Sequence, residues 1–226
     1  MIRVTLYDEW IQIPSWVVDL ESFRRWADDD AFPEKGRIAF LKGDVWVDMS
    51  MEQLFDHNQV KSEINSELHG LVKTNRMGRY FADGAFLSNE DADVSNQPDG
   101  TFVSTASLQQ GLVRVVEGRT RGYVELEGTP DMVLEVVSDS SVEKDTVILR
   151  QAYAEAGIRE YWLVDARQEP LRFDILRRTE RGYTTSRKRS GWSRSEVFDR
   201  WLRLTQQPGS DGFPLFTLEM QAQRPA

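Results

Sequence analysis

The chain has 226 residues, of which 40% are hydrophobic and 29% charged, and it contains no cysteine. This composition predicts a cytoplasmic globular protein without disulfides or zinc–thiolate sites. We expect neither a secretory leader nor a membrane span, because no apolar run approaches the necessary length. The formal net charge of −9 excludes a general nucleic-acid coat protein, because contacts to phosphates need lysine and arginine.

Positive charge is concentrated in one segment near the C-terminus. From Leu171 to Arg203 there are ten lysine or arginine residues and four acidic ones, so this segment carries +6 and the remainder of the chain −15. The segment could therefore bind nucleic acid locally on an otherwise acidic protein. A solvated surface of strands and turns is the alternative.

The first third of the chain is predicted to form helices and hairpins after a lead-in over residues 1–19. Apolar spacing predicts a helix over Leu20–Ala27. Two apolar runs around a Lys-Gly-Asp turn predict a hairpin over Arg37–Met49. Apolar residues that recur every three or four positions predict a second helix over His57–Thr74, and a strand follows over Arg79–Ser88.

The middle of the chain has the pattern of a strand–helix–strand unit. A short strand over Thr101–Ser104 and a hairpin over Val113–Leu126 come first. The continuous apolar run Met132–Val137 predicts a buried strand, Val142–Ala156 a helix, and Tyr161–Asp165 another buried strand. Two such strands with a helix between them are typical of an α/β protein.

The remaining residues complete a single predicted domain over 1–226 with its core at about 20–205. Val197–Leu204 is predicted to be a short helix or turn, and residues 206–226 a tail. No linker of distinct composition divides the chain into two domains.

Three acidic residues stand in or directly before predicted strands. Glu135 interrupts the apolar run Met-Val-Leu-Glu-Val-Val, where a buried carboxylate is costly unless it is paired, protonated or bound to a metal. Asp99 and Asp131 each follow a proline at a strand entrance. Turn formation is the alternative for both Pro-Asp pairs, and an edge position or an arginine partner is the alternative for Glu135. Together the three could ligate a hard divalent cation.

Other polar residues allow two interpretations each. His57 could act as a general base or stabilise the start of its helix, and the structural role is favoured. Glu63 and Glu67, four residues apart, could supply a further carboxylate or face solvent, and solvent is favoured.

Two segments carry a more specific pattern. Thr129–Ser138 has the sequence Thr-Pro-Asp-Met-Val-Leu-Glu-Val-Val-Ser, and Tyr153–Asp165 contains Gly-Ile-Arg-Glu-Tyr-Trp-Leu-Val-Asp. With the upstream Gln-Pro-Asp ending at Asp99 and with Gly191–Phe198, they resemble the Uma-type endonucleases. That family is a branch of the PD-(D/E)XK restriction-endonuclease-like superfamily and was formerly a domain of unknown function. The resemblance covers roughly residues 20–205.

This resemblance implies a fold and a reaction. The implied fold is restriction-endonuclease-like, a mixed central β-sheet flanked by helices. The implied activity is a nuclease that depends on Mg²⁺ (or Mn²⁺), with Asp99 and Glu135 as its metal ligands. Asp131 matches the second Pro-Asp of the family, with a less defined role in metal binding.

The chain departs from the family pattern at the catalytic lysine. In the wider superfamily a lysine two residues after the second acid orients the attacking water, and that position is Val137 here. Many family members instead carry a lysine four residues before the tyrosine of the Tyr-x-x-x-Gly segment, where this chain has Leu149. Lys144 and Arg150 are the nearby cations, and either could stabilise negative charge on a phosphate. Helix capping or surface pairing is the alternative for both.

Three functional hypotheses follow. The first is a metal-dependent endonuclease that hydrolyses DNA phosphodiesters. The second, supported by the displaced lysine and the net acidity, is a catalytically weak or inactive binding or assembly module with the same fold. The third is a metal-dependent hydrolase of another phosphoester. A homodimer is compatible with the resemblance, since many nucleases of this fold pair two subunits to cut two strands.

Overall fold

Three β-sheets and four α-helices are present in the computed structural model, which describes residues 11–120 and 122–225. No helix in those ranges has the length and apolar character needed to cross a bilayer. The helices are α1 (Leu20–Ala27), α2 (Val60–Asn75), α3 (Thr105–Gln109) and α4 (Leu149–Glu155). The strands are β1 (Arg37–Leu41), β2 (Asp44–Asp48), β3 (Gly78–Ala82), β4 (Phe86–Asn89), β5 (Val94–Asn96), β6 (Gly100–Ser104), β7 (Val113–Glu117), β8 (Tyr123–Gly128), β9 (Met132–Val136), β10 (Glu160–Asp165), β11 (Arg172–Thr179), β12 (Gly182–Thr185), β13 (Lys188–Arg189), β14 (Trp192–Ser195), β15 (Arg200–Pro208) and β16 (Pro214–Gln221).

The sheets combine parallel and antiparallel pairs. The first sheet has the order β2-β1-β5-β4-β8-β7, the second β12-β11-β10-β9-β6-β3, and the third β13-β14-β15-β16. The pairs β4–β8 and β9–β10 are parallel, and the other strand pairs of the described residues are antiparallel. The predicted α/β class with mixed sheets flanked by helices is therefore confirmed.

Strand β9 lies between two hydrophobic cores, which is why its sequence is almost continuously apolar. Because side chains alternate along a strand, Leu134 and Val136 join the core that contains α2. Val133 and Val137 join the core that contains α4. Glu135 shares their side of the sheet, so its carboxylate lies on the α4 side.

Both helices that cover these cores begin with a π-helical turn. The helix predicted over His57–Thr74 starts earlier, with a π-helical turn over Leu54–Gln59 that leads into α2. The helix predicted over Val142–Ala156 contains a π-helical turn over Lys144–Ile148 before α4. Wide turns of this kind recur at functional sites in proteins, and both of these border one cavity at the end of β9.

The C-terminal region differs from the prediction. Residues 206–221 do not form a tail, and Val197–Leu204 is not helical, because β15 and β16 pair along Trp201–Pro208. Phe216 and Leu218 are buried in the core beside α2. The alternation of polar and apolar residues in β16 was the missed signal. The first ten residues of the predicted lead-in lie outside the described residues.

A buried glutamate connects the second and third sheets. The carboxylate of Glu160, at the start of β10, accepts hydrogen bonds from the Trp162 indole (2.9 Å) and the Ser195 hydroxyl (2.7 Å). It also accepts from the main-chain amides of Glu196 (2.6 Å) and Val197 (3.1 Å). Four donors therefore converge on one carboxylate, which places the turn between β14 and β15 against β10.

We expect Glu160→Ala to lower the free energy of unfolding by about 2–3 kcal/mol, because it leaves buried donors without an acceptor. Urea unfolding at neutral pH measures the change. The matched control is Glu67→Ala, which removes an exposed glutamate of α2 and should change the free energy by no more than about 0.5 kcal/mol. Equal effects of the two substitutions would contradict a structural role for Glu160.

Candidate active site

A cavity of about 260 Å³ lies where the C-terminal end of β9 meets the two π-helical turns. Segments that are distant in sequence contribute its walls, including β1, the loop after β2, the start of β6 and the loop after β9. We call it the acidic cavity. Its charged lining residues are Arg37, Asp48, Glu52, Asp99, Glu135, Lys144 and Asp145, with His57 beside them.

Glu135 is almost fully enclosed at the acidic cavity, with 1% of its surface exposed. Its Oε1 atom accepts hydrogen bonds from Asn96 Nδ2 (2.9 Å) and from the Tyr153 hydroxyl (2.7 Å). Burial raises the pKa of Glu135 well above its ordinary value of 4.5. The ammonium of Lys144 opposes this rise, and the carboxylate of Asp145 adds to it. A cation at this carboxylate would therefore be strongly favoured.

Asp99, the other predicted metal ligand, lines the same cavity and is also 1% exposed. Its Oδ2 atom accepts the main-chain N–H of Val136 (2.8 Å), which ties the carboxylate to β9. Its Oδ1 atom pairs with Arg37 Nη1 at 2.8 Å. His57 Nε2 and Lys61 Nζ each lie 3.7 Å from a carboxylate oxygen. The structure therefore brings the two predicted acids to one cavity, with basic side chains close to Asp99.

The main chain at Asp99 is held close to α2. Asn65 Nδ2 donates to the Asp99 carbonyl oxygen (3.0 Å), and the Tyr80 hydroxyl donates to Asn65 Oδ1 (2.6 Å). A Cβ atom at Gly100 would lie 2.3 Å from the Tyr80 hydroxyl oxygen, so only glycine fits there. The Pro-Asp-Gly sequence thus presents the aspartate at a tightly packed strand entrance.

A network of charged side chains lies next to Asp99 on the side of α2. His57 Nδ1 lies 2.9 Å from Glu52 Oε1, and Lys61 forms ion pairs with Glu52 and with Asp83 (2.8 Å). Although burial opposes the change, hydrogen bonds from Lys61 and His57 lower the pKa of Glu52 to about 2. His57 is 5% exposed and Lys61 3% exposed. His57 therefore lies within the π-helical turn and lines the cavity, and it does not start the helix as predicted.

Lys144 projects into the cavity from its π-helical turn. Its Nζ atom lies 3.3 Å from Oδ1 of the buried Asp145, and that oxygen accepts no hydrogen bond from the described residues. The Ser141 hydroxyl donates to the other oxygen, Oδ2. Burial works against the charge of Lys144, but the carboxylate of Glu135 raises its pKa above the ordinary value. The ammonium is thus held protonated beside two acids.

Two predicted site residues lie elsewhere. Asp131, directly before β9, accepts hydrogen bonds from the Ser104 amide and the Ser107 hydroxyl, each at 2.7 Å. Arg150, on α4, donates to the carbonyl of Tyr183 (3.1 Å) and lines a different cavity. The structure therefore does not bring either residue to the acidic cavity, in contrast to the prediction of Asp131 as a metal ligand and of Arg150 as a catalytic cation. Both side chains instead stabilise their local structure through these hydrogen bonds.

The remaining candidate groups are also outside the acidic cavity. Glu63 accepts the main-chain N–H of Leu218 (2.8 Å), and Glu67 is exposed. None of the ten basic residues between Leu171 and Arg203 lines the cavity. Several of those cations are paired with acids, namely Arg172 and Lys188 with Asp174, Arg177 with Glu196, Arg194 with Asp199, and Arg203 with Glu219.

Five charged residues of the site were not among the predicted ones. Lys61 had a detectable signal, because it falls on the same helical stripe as the buried Ile64 and Leu68 of α2. Arg37, Asp48, Glu52 and Asp145 had none, since they stand at strand ends, in a loop or in a helical turn, where charged residues are common. Only their positions in the folded chain distinguish them.

This arrangement of mixed sheets and flanking helices is that of the restriction-endonuclease-like α/β class. Residues 20–207 match the Uma2 family, whose description is "Putative restriction endonuclease". The chain belongs to this family. A solved structure from Anabaena variabilis, described as a "putative nuclease belonging to DUF820", has a similar fold with a TM-score of 0.58. The two chains are 17% identical over 80% of this chain and 90% of the other. No curated protein matches the chain.

The raised pKa of Glu135 predicts how stability depends on pH when no metal is present. The folded protein holds this proton more tightly than the unfolded chain, so stability is lost as pH rises from 4.5 toward the raised value. Glu135→Gln keeps the hydrogen-bond acceptor but cannot ionise. In EDTA, we expect its melting temperature to rise relative to wild type between about pH 5 and 8.

The control for this measurement is Glu67→Gln, whose melting temperature should stay at a constant offset from wild type over the same pH range, because Glu67 is exposed. A constant offset for Glu135→Gln as well would show that Glu135 ionises with an ordinary pKa.

Proposed function

We propose that this protein is a metal-dependent endonuclease that hydrolyses DNA phosphodiester bonds in the acidic cavity. The observation that carries the proposal is the meeting of Asp99, Glu135 and Lys144 at one cavity. Two carboxylates and one ammonium are the groups that phosphodiester hydrolysis in this superfamily needs. Membership of a family described as restriction endonucleases supports a nuclease.

The charge of the cavity supports a requirement for a divalent cation. Five carboxylates line it against one arginine and one lysine, so these side chains by themselves would repel an anionic phosphodiester. No group of three or more histidine, aspartate or glutamate side chains within the described ranges is arranged to hold a metal alone. Magnesium commonly uses only one or two carboxylates and takes its other ligands from water and phosphate. Asp99 and Glu135 fit that smaller requirement.

The residues of the chain have distinct roles in this proposal. Asp99 and Glu135 would hold Mg²⁺ or Mn²⁺, which lowers the pKa of a bound water and polarises the phosphate when present. Lys144 would stabilise the negative charge that develops on the phosphoryl oxygens, because its ammonium is desolvated and already oriented. The hydrogen bonds from Asn96 and Tyr153 orient the Glu135 carboxylate, as donors to metal-binding carboxylates commonly do.

One observation favours the second candidate, a binding or assembly module without catalysis. Arg37 pairs with Asp99 at 2.8 Å and competes with a metal for that carboxylate. The displaced lysine, by contrast, no longer favours this candidate, because Lys144 brings an ammonium to the cavity although Val137 and Leu149 are apolar. Cleavage measurements separate the two candidates.

We expect the wild-type protein to cleave plasmid DNA with Mg²⁺ or Mn²⁺ and to be inactive in EDTA. Asp99→Asn and Glu135→Gln should each lower the rate by at least about 10–100-fold, because each removes a proposed metal ligand. Glu67→Gln is the matched acidic control and should retain the wild-type rate. If wild type cuts no faster than the two variants, the protein is a binding module. RNA and nucleotide substrates test the phosphoester alternative.

Lys144→Met should lower the cleavage rate by about 100-fold, because it removes the charge proposed to stabilise the transition state. The affinity for Mn²⁺, measured by calorimetry, should not fall, because Lys144 is not a proposed ligand. Arg150→Met is the matched control, since it removes a cation outside the acidic cavity, and its rate should stay within about twofold of wild type. A larger loss in Arg150→Met than in Lys144→Met would reverse the assignment.

A further inference from the structure

A second groove, of about 740 Å³, lies at the end of α2 that is remote from the acidic cavity. Four basic or titratable side chains line it, namely His69 and Lys73 on α2, Arg76 directly after it, and Arg79 on β3. All four are exposed. We call this surface the basic groove.

The basic groove is unusual in a chain of net charge −9. From Leu68 to Ala82 the sequence contains three lysine or arginine residues and no acidic residue. No aspartate or glutamate lines the groove in the part of the chain that the structure describes. None of its three permanent cations forms an ion pair with the described residues, whereas many other cations of the chain are paired. An ordinary solvent-exposed surface of an acidic protein would carry both acidic and basic side chains.

The fold, not only the local sequence, gathers these cations. His69, Lys73 and Arg76 are spaced by four and three residues, which places them on one side of α2. Arg76 adopts a left-handed conformation (φ 53°), so the chain reverses there and returns as β3 with Arg79. The helix dipole favours a cation in the last turn of α2, which accounts for Lys73. It does not account for Arg79, which belongs to a strand.

The position of the groove relates it to the acidic cavity. Helix α2 has 16 residues and is therefore about 24 Å long. Its first turn contributes Lys61, beside Asp99, and its last turn borders the basic groove. A rise of about 24 Å corresponds to about seven base pairs of a duplex. A nucleic acid engaged at one end of the helix is thus long enough to reach the other end.

We propose that the basic groove binds the sugar–phosphate backbone of nucleic acid, and this proposal rests on the proposed nuclease function. The groove would contribute affinity and hold the duplex in place without taking part in the chemistry. Cationic contacts to phosphates carry no base information, so the binding is independent of sequence. The predicted basic segment near the C-terminus is a weaker candidate, because several of its cations are already paired with acids.

The test compares two triple variants that remove the same charge. Lys73→Gln, Arg76→Gln and Arg79→Gln together neutralise the basic groove. Arg181→Gln, Arg187→Gln and Arg189→Gln together neutralise three exposed arginines of the C-terminal segment and form the control. Binding to a labelled duplex of about 30 base pairs is measured by fluorescence anisotropy in EDTA between about 50 and 200 mM salt. Circular dichroism melting confirms that both variants are folded.

We expect the groove variant to bind the duplex about tenfold or more weakly than wild type at about 100 mM salt. The slope of log affinity against log salt should become shallower by about 1 for each phosphate that the variant no longer binds. The control should bind less than about threefold more weakly. Unchanged binding by the groove variant, or equal weakening in both variants, would overturn the proposal.

Two further outcomes are distinguishable. If sedimentation shows that the groove variant converts a wild-type dimer into a monomer, the groove is an interface with the acidic surface of a second copy, and the proposal is overturned. If wild type never cleaves DNA but the groove variant still loses affinity selectively, the nuclease function fails while the binding proposal stands.

Discussion

The burial of a carboxylate in the centre of the fold is the constraint on which the site depends. All five residues of β9 are buried, and Glu135 is one of them. A carboxylate there is costly unless donors and cations surround it. Asn96 and Tyr153 supply the hydrogen bonds, and Lys144 supplies the charge. The loops and helices around the end of β9 therefore form a shell of donors and charges that offsets part of the cost of burying the Glu135 carboxylate.

Cations reach that shell from three directions. Arg37 comes from β1, Lys61 from the first turn of α2, and Lys144 from the π-helical turn before α4. A π-helical turn changes the direction of side chains relative to the helix that follows, so a residue outside the usual motif position can point inward. This is how the ammonium of Lys144 reaches the acidic cavity although Val137 and Leu149, the two positions where the family resemblance implies a lysine, are apolar.

Acidic and basic side chains gather at opposite ends of α2. Its N-terminal end borders a cavity in which acids outnumber cations, and its C-terminal end borders a groove whose charged side chains are all basic. If the proposed function is correct, a metal in the acidic cavity would neutralise charge only locally, so DNA binding would need phosphate contacts elsewhere. In the proposed function, separating the two regions by the length of a helix would let the acids of the cavity stay close together without repelling the whole duplex.

The sequence by itself determined several of the elements and singled out the two central acids. Apolar periodicity located α1, the first hairpin, β9 and β10, because burial imposes a regular spacing on side chains. An acid inside an apolar strand identified Glu135, and a family motif identified Asp99. Only the tertiary structure decided which charges meet, since Lys144 enters the cavity while Asp131 and Arg150 do not. Ion pairs between distant segments leave no periodic trace in a sequence. The alternation in β16 indicates a strand, but its pairing with β15 depends on the core that α2 provides.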